Sequence, residues 1–283
     1  MRELRGKPVA DALTQQLKKR IEKLAEDGIT PTLAIVRVGE RADDLSYEKG
    51  AQKRFTSVGA EVQIHTLPAD CSQEDLENTL TILSQNPAVD GILLFRPLPS
   101  QLSQERAKQC INPTKDVDCF GDAGYTALLT GNGAACPPCT PAAVMDLLDF
   151  YGVDLTGKRV TIVGRSLVVG KPLMLMMLAK NATVTICHTR TADLPAECRR
   201  ADILVACVGK AKMIDASYTR EGQIVIDVGI NVDENGNLCG DVDYEAVSAI
   251  VEAITPVPRG VGSITTAVLL KHVTECAERS AKN

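Results

Sequence analysis

The sequence predicts an α/β protein made of two β-α-β domains, each with a parallel sheet, the second of Rossmann type. Three observations predict it. Residues 158–180 (KRVTIVGRSLVVGKPLMLMMLAK) pass from a short β-branched run through a glycine turn into an apolar helix, and 181–187 (NATVTIC) supplies a second strand. In the first half, apolar runs at 32–38, 61–67 and 89–95 alternate with helical patterns. Such alternation implies a parallel sheet with helices on both faces. A length of 283 residues also suits two domains, each with its own core.

The first helix is expected over 7–25, where Val9, Leu13, Leu17, Ile21 and Leu24 recur at helical spacing. The strand 32–38 follows and ends at Gly39; a helix over about 44–58 ends at Gly59, a natural C-terminal stop. The strand 61–67 leads to a helix over 72–83, opened by Ser72 with Glu74 and Asp75 in its first turn. The third strand, 89–95, exits into Arg96-Pro97-Leu98-Pro99, which two prolines stiffen. A helix over 142–151 leads into the glycine-turn unit, and 201–208 and 223–228 supply further strands. The Pro/Gly segment 255–265 precedes an amphipathic helix through Ala277, expected to return and brace the first domain.

A turn that ends a strand and opens a helix is an anion site, because backbone N–H groups point outward and the helix dipole favours negative charge. Here Gly164 ends the strand, Ser166 takes the place of a second glycine, and Gly170 comes one residue later than in G-x-G-x-x-G. NAD sites usually place an acid at the end of the second strand to accept from the ribose 2′-hydroxyl. This chain reads His188-Thr189-Arg190, with no acid before Asp193, and Arg165 lies in the phosphate turn. Two arginines and a hydroxyl suit a 2′-phosphate, so NADP is favoured over NAD. Gly209 and Gly229, at the carboxyl ends of the later strands, leave room for a nicotinamide.

Composition excludes several classes. A net charge of −5, no Trp and 3% aromatics argue against a nucleic-acid surface. No run approaches membrane-spanning length, and the charged start MRELRGKPVADAL has no apolar signal core, so a cytoplasmic protein is expected. The ten cysteines include Cys136 and Cys139 at C-x-x-C spacing after the flexible 131–135, but no second pair follows at zinc spacing. No metal site is expected; the cysteines read as reduced, mostly buried thiols.

Two first-half segments hold the remaining candidates. On the helix after Gly39, positions 47, 50, 51 and 54 share a face bearing Tyr47, Gly50, Ala51 and Arg54. That face either leaves room for a ligand above Tyr47 or packs closely on the sheet. Lys115-Asp116-Val117-Asp118 reads as an Asx-turn loop or as a binding cluster beyond the strand ends.

Taken together, the chain resembles the bifunctional methylenetetrahydrofolate dehydrogenase/methenyltetrahydrofolate cyclohydrolase family. The resemblance rests on DGILLFRPLP (90–99), PTKDVDCF (113–120), PPCTP (137–141), VGRSLVVGKP (163–172), CHTRT (187–191), ADILVACVGK (201–210), IDVGIN (226–231), GDVDY (240–244) and TPVPRGVGSIT (255–265). It implies oxidation of 5,10-methylenetetrahydrofolate by NADP, then hydrolysis of the methenyl product to 10-formyltetrahydrofolate, in a homodimer. It also implies a catalytic folate-binding domain over 1–141 with 265–283, and an NADP-binding domain over 142–264. By the same resemblance Gly164, Arg165 and Ser166 form the cofactor turn, Thr189 lies near the 2′-phosphate and Ile230 lies at the nicotinamide. The resemblance also implies that Asp118 grips the pterin and that Tyr47 lies over the folate.

The departures bear on the second reaction. Ala51 stands where the family has a lysine, Phe95 at its glutamine, Arg96 at a leucine and Arg259 at a glycine. Hydride transfer needs orientation more than an acid or base, whereas hydrolysis needs water activated and protons moved. The expectation is a dehydrogenase whose hydrolytic half is weakened, or rebuilt around Arg54, Arg96 or Arg259, with Lys53 a further candidate about 200° round the helix from Ala51. A different NADP dehydrogenase and a non-catalytic folate- or NADP-binding protein are the alternatives.

Overall fold

A computed structural model describes residues 1–131 and 135–282; most of the loop expected at 131–135 lies outside the described residues. In chain order the elements are β1 (Arg2–Glu3), α1 (Gly6–Glu26), β2 (Thr32–Val38), α2 (Ala42–Thr56), β3 (Glu61–Leu67), α3 (Gln73–Gln85), β4 (Gly91–Leu94), α4 (Gln104–Ala107), α5 (Asp122–Thr130) and α6 (Cys139–Phe150). There follow β5 (Arg159–Val163), α7 (Gly170–Ala179), β6 (Thr183–Cys187), α8 (Leu194–Arg199), β7 (Ile203–Ala206), β8 (Ile224–Asp227), β9 (Asn231–Val232), β10 (Leu238–Cys239), α9 (Tyr244–Ser248), β11 (Ala253–Ile254) and α10 (Thr265–Ser280).

Two units divide the chain, Met1–Asp11 with Thr140–Thr265, and Ala12–Cys139 with Thr266–Asn283. The second contains a three-stranded sheet of order β3-β2-β4, parallel throughout. Its central strand β2 is buried at every residue, which is why TLAIVRV is almost continuously apolar. Leu76, Leu80 and Leu83 of α3 close one face over Ala34, Val36 and Ile92. A capping box between Ser72 and Asp75 fixes the start of α3. The last helix α10 belongs to this unit, as its late position suggested.

The other unit carries a six-stranded sheet of order β1-β11-β8-β7-β5-β6, with every pairing parallel. Chain direction across the sheet reverses between β5 and β7, so a topological switch point lies at their carboxyl ends. Here the division of the structure into compact units differs from the expected boundaries. Residues 1–11 belong to this unit, because Arg2 and Glu3 pair with Ala253 and Ile254 at the sheet's edge. The glycine-turn helix α7 is also less covered than its composition implied. Leu173 and Met177 are buried against the sheet, while Leu178 is 58% exposed on the outer side.

Candidate functional site

Beside the switch point β5 and β6 pair through Val163 and Cys187, and the Gly164 N–H donates to the Cys187 carbonyl at 2.9 Å. Residues 164–166 and 188–190 therefore leave the sheet side by side, as a shared phosphate site requires. Gly164 has φ +130°, and a Cβ on it would lie 2.4 Å from the Cys207 carbonyl oxygen. A Cβ on Gly170 would lie 2.1 Å from the Gly164 carbonyl oxygen, so the helix can start this close to the turn only with glycine there. The Ser166 hydroxyl accepts from the Val169 N–H at 3.1 Å, closing a local turn just before α7. Arg165, Thr189 and Arg190 are exposed around the turn. Asp193, the first acid after β6, is occupied in capping α8, where its carboxylate accepts from the Ala196 N–H.

Beyond β7 and β8, Gly209 has φ +67° and Ile230 is 64% exposed. Ile230 lines a cleft of about 160 Å³ with Gly229, Leu238 and the segment Pro256–Ser263. Arg259, at the glycine position of the resembled family, keeps the left-handed backbone a glycine would adopt, at φ +85°.

The smaller-sheet unit brings four residues of the first-half segments together. The Tyr47 and Phe95 rings meet edge to face with centroids 5.8 Å apart. Arg96 donates from Nη2 to Asp118 Oδ2 at 3.1 Å, and its guanidinium stacks over Phe120 at 4.9 Å. Asp118 Oδ1 accepts the Cys139 N–H at 2.8 Å. The two aspartates of KDVD have different partners. Asp116 makes the local turn, its carboxylate taking the N–H groups of Asp118, Phe120 and Gly121. Its pKa is raised by burial, against those bonds. Asp118 is left to point at Arg96.

The structure also separates candidates. Ala51 is fully buried, whereas a Cβ on exposed Gly50 would meet nothing within 4 Å, so the helix face packs at one position and stays open at the other. Lys53 is exposed in a surface groove with Lys49, Gln52, Thr56, Ser57 and Val62 and is not brought to the Arg96–Asp118 pair. It projects from the other side of α2 from Ala51, as the 200° offset dictates. Arg54 is directed to Thr14 and Thr266, donating at 2.6 and 2.9 Å. Arg96, another of the arginines considered as replacements, pairs with Asp118.

Several supporting groups escaped the sequence reading. Arg37 and Glu48 form a nearly buried ion pair at 2.9 Å beside Tyr47, joining α2 to the end of β2. The buried His272 ring places Nδ1 2.9 Å from the Val117 carbonyl oxygen, and burial holds its pKa down at about 4, so it is the neutral donor there. Cys136 and Cys139 point apart, Cys136 to Cys276 and Cys139 to Val117 and His272. His272 lies on the apolar face of α10 with Val268, Leu269 and Cys276, and that position was the available signal. Among the described residues, no cluster of His, Cys, Asp or Glu could hold a metal ion, and no helix is long and apolar enough to cross a membrane.

Comparison with known proteins covers both units. Residues 4–118 match the tetrahydrofolate dehydrogenase/cyclohydrolase catalytic-domain profile, and 138–281 match the NAD(P)-binding-domain profile of the same family. The bifunctional protein FolD of Clostridioides difficile is 50% identical over 275 residues, covering 97% of this chain and 96% of that one. The bifunctional FolD methylenetetrahydrofolate dehydrogenase/cyclohydrolase of Campylobacter jejuni superposes with a TM-score of 0.96 at 36% identity, over 99% of both chains. The Trypanosoma brucei enzyme, solved with NADP and an inhibitor, gives a TM-score of 0.93 at 32% identity, over 99% of this chain and 98% of that one.

Proposed function

The chain belongs to the tetrahydrofolate dehydrogenase/cyclohydrolase family, and from that premise we propose that it oxidises 5,10-methylenetetrahydrofolate with NADP, its capacity to hydrolyse the methenyl product being weak. The smaller-sheet unit serves as the folate-binding domain and the larger-sheet unit as the NADP-binding domain. The residues at the switch point fit a dinucleotide, since glycine at 164 and 170 lets the turn lie against Cys207 and the start of α7 lie against the turn, the close strand-turn-helix packing of a pyrophosphate site. Arg165, Ser166, Thr189 and Arg190 suit the phosphates, and the engagement of Asp193 as a helix cap leaves no nearby acid to prefer a free 2′-hydroxyl. NADP, when bound, supplies the hydride acceptor.

The rest of the chemistry falls to side chains. Asp118, held by the Cys139 N–H, offers its carboxylate to the amino and ring N–H groups of the pterin, and Tyr47 covers the folate. Orientation of this kind is what hydride transfer chiefly needs.

One observation carries the reading of a weak hydrolase. The two positions where the family has Lys and Gln hold a fully buried Ala51 and a Phe95 packed on Tyr47. Neither can move a proton or hold a water. Arg96 can stabilise charge beside Asp118, but a guanidinium stays protonated and makes a poor shuttle. Lys53 lies outside the cluster and is not assigned a catalytic role. Exposed Leu167, Val168 and Leu178 support a homodimer, and the chain is taken to work in the cytoplasm.

The test mixes purified protein with 5,10-methylenetetrahydrofolate and NADP and follows NADPH and methenyl absorbance together. NADPH should rise while methenyl accumulates. Clearance of methenyl much faster than in buffer, and lost on Arg96→Leu, would instead favour a hydrolase rebuilt around that arginine. No NADPH at all would defeat the proposal.

A further inference from the structure

We propose that Asp241 is a positioning residue for the nicotinamide end of the cofactor, its buried carboxylate fixing the turn after β7 and the start of β9 as one rigid cradle. The inference rests on the dinucleotide reading above and goes beyond it, because Asp241 lies outside every candidate set the sequence supplied.

The geometry is unusual for a structural carboxylate. Asp241 is 0% exposed, and among the described residues no ion pair joins it. Its two oxygens accept three successive backbone N–H groups, from Val208 at 2.6 Å, Gly209 at 3.1 Å and Lys210 at 2.8 Å. A fourth donor is Asn231 Nδ2 at 3.0 Å. Three consecutive N–H groups converging across a left-handed glycine form an anion nest, and here the chain fills the nest with its own carboxylate.

Two consequences follow from that filling. Because N–H and C=O point oppositely across a trans peptide, the carbonyls of Val208 and Gly209 turn away from Asp241, and among the described residues no backbone N–H donates to them. A carboxamide N–H of a nicotinamide is the chemical match for such acceptors. The same carboxylate holds Asn231, directly after Ile230 at the cleft.

A second carboxylate locks the first. Asp227, 3% exposed at the end of β8, accepts from the N–H groups of Gly229, Asp241 and Val242 at 3.0–3.1 Å. The packing is reciprocal: a Cβ on Gly229 would lie 2.2 Å from Asp241 Cγ, and one on Gly240 would lie 1.8 Å from Asp227 Oδ2. Burying two like-charged groups together is unfavourable for stability. An apolar pair would hold the same segments together without that penalty, but it would leave the N–H groups of 208–210 unsatisfied and free to turn.

The experiment compares the full-length wild type with Asp241→Asn and, as a milder change, Asn231→Ala. The probes are NADP and 2′,5′-ADP, which shares the adenosine 2′-phosphate but has no nicotinamide. An amide at 241 faces N–H groups with an NH₂ and breaks the nest, so the Kd for NADP should rise about tenfold or more. The Kd for 2′,5′-ADP and the KM for the folate should stay within about twofold of wild type. Asn231→Ala should shift the same readouts in the same direction by about threefold, and it keeps the test decisive should Asp241→Asn fail to fold. Parallel weakening of both probes would mean general loss of structure and overturn the proposal, as would an unchanged NADP affinity. A wild type that binds neither probe would defeat the dinucleotide reading itself, which is a distinct result.

Discussion

At the scale of single residues, Asp118 concentrates the most chemistry in the smaller-sheet unit. One oxygen is tied to a backbone N–H and the other to a guanidinium, so the group is aimed before any ligand arrives. Its backbone is fixed in turn, since Val117 is fully buried with its carbonyl accepting from His272. Asp118→Asn keeps the size and loses the charge. It should lower kcat/KM for the folate by about 10- to 100-fold, while the KM for NADP stays unchanged; steady-state kinetics with each substrate varied in turn check this. Much at this scale was legible in the sequence. Asp118, Arg96, Gly164 and Gly170 all stand out as polar groups or glycines just past apolar runs. Arg37 and His272 were not legible, because on an apolar strand or helix face sequence alone cannot tell a packed side chain from a bonded one; Cys139 read only as a buried thiol, and the part its N–H plays was not visible. Lys53 illustrates the opposite case: a lysine two residues from the position where the family has one is suggestive in a string, but the 200° offset carries it to the other side of the helix.

Elements show how glycine acquires opposite meanings. At Gly170 a Cβ would run into the Gly164 carbonyl, so Gly170→Ala must push α7 off the turn that precedes it. That overpacking should cost about 1–3 kcal/mol and weaken NADP binding together with 2′,5′-ADP binding. At Gly50 a Cβ meets nothing, and the residue lies inside α2 with an ordinary helical backbone. Gly50→Ala should therefore raise stability by about 0.5–1 kcal/mol. Chemical denaturation of the two variants reads both effects, with opposite signs from the same substitution. The long elements were legible because seven-residue strands and helices of three or more turns have a period. The two-residue strands β1, β9, β10 and β11 have none, and their pairing is visible only once the sheet exists. That is why the pairing of residues 2 and 3 with the larger sheet was not anticipated. Their extended start carries no pattern, and only the neighbour β11 identifies where it belongs.

For the whole molecule, the two units bury titratable groups of opposite kind, which sets a pH window for stability. His272 in the smaller-sheet unit is held neutral by burial, with its pKa down at about 4 against an ordinary 6.5. A base depressed in the fold contributes its stability above 6.5 and loses it as pH falls towards 4, because the unfolded chain takes up the proton first. The full effect is on the order of 3 kcal/mol. Asp227 in the larger-sheet unit is pushed up to about 7, first by burial and further by neighbouring Asp241, against the backbone N–H groups it accepts. An acid raised in the fold works the other way: its contribution is greatest below its ordinary value of 3.8 and is lost as pH rises through about 7. The two variants separate these effects. His272→Asn retains a donor for the Val117 carbonyl but cannot be protonated, so its Tm should fall less than that of wild type between pH 7 and pH 4.5. Asp227→Asn lowers Tm by a fixed amount through a lost acceptor, but its Tm should no longer decline between pH 5.5 and pH 8 as wild type's does. Calorimetric scans across the range read both slopes. Wild-type slopes retained in both variants would remove His272 and Asp227 as the groups that bound the window.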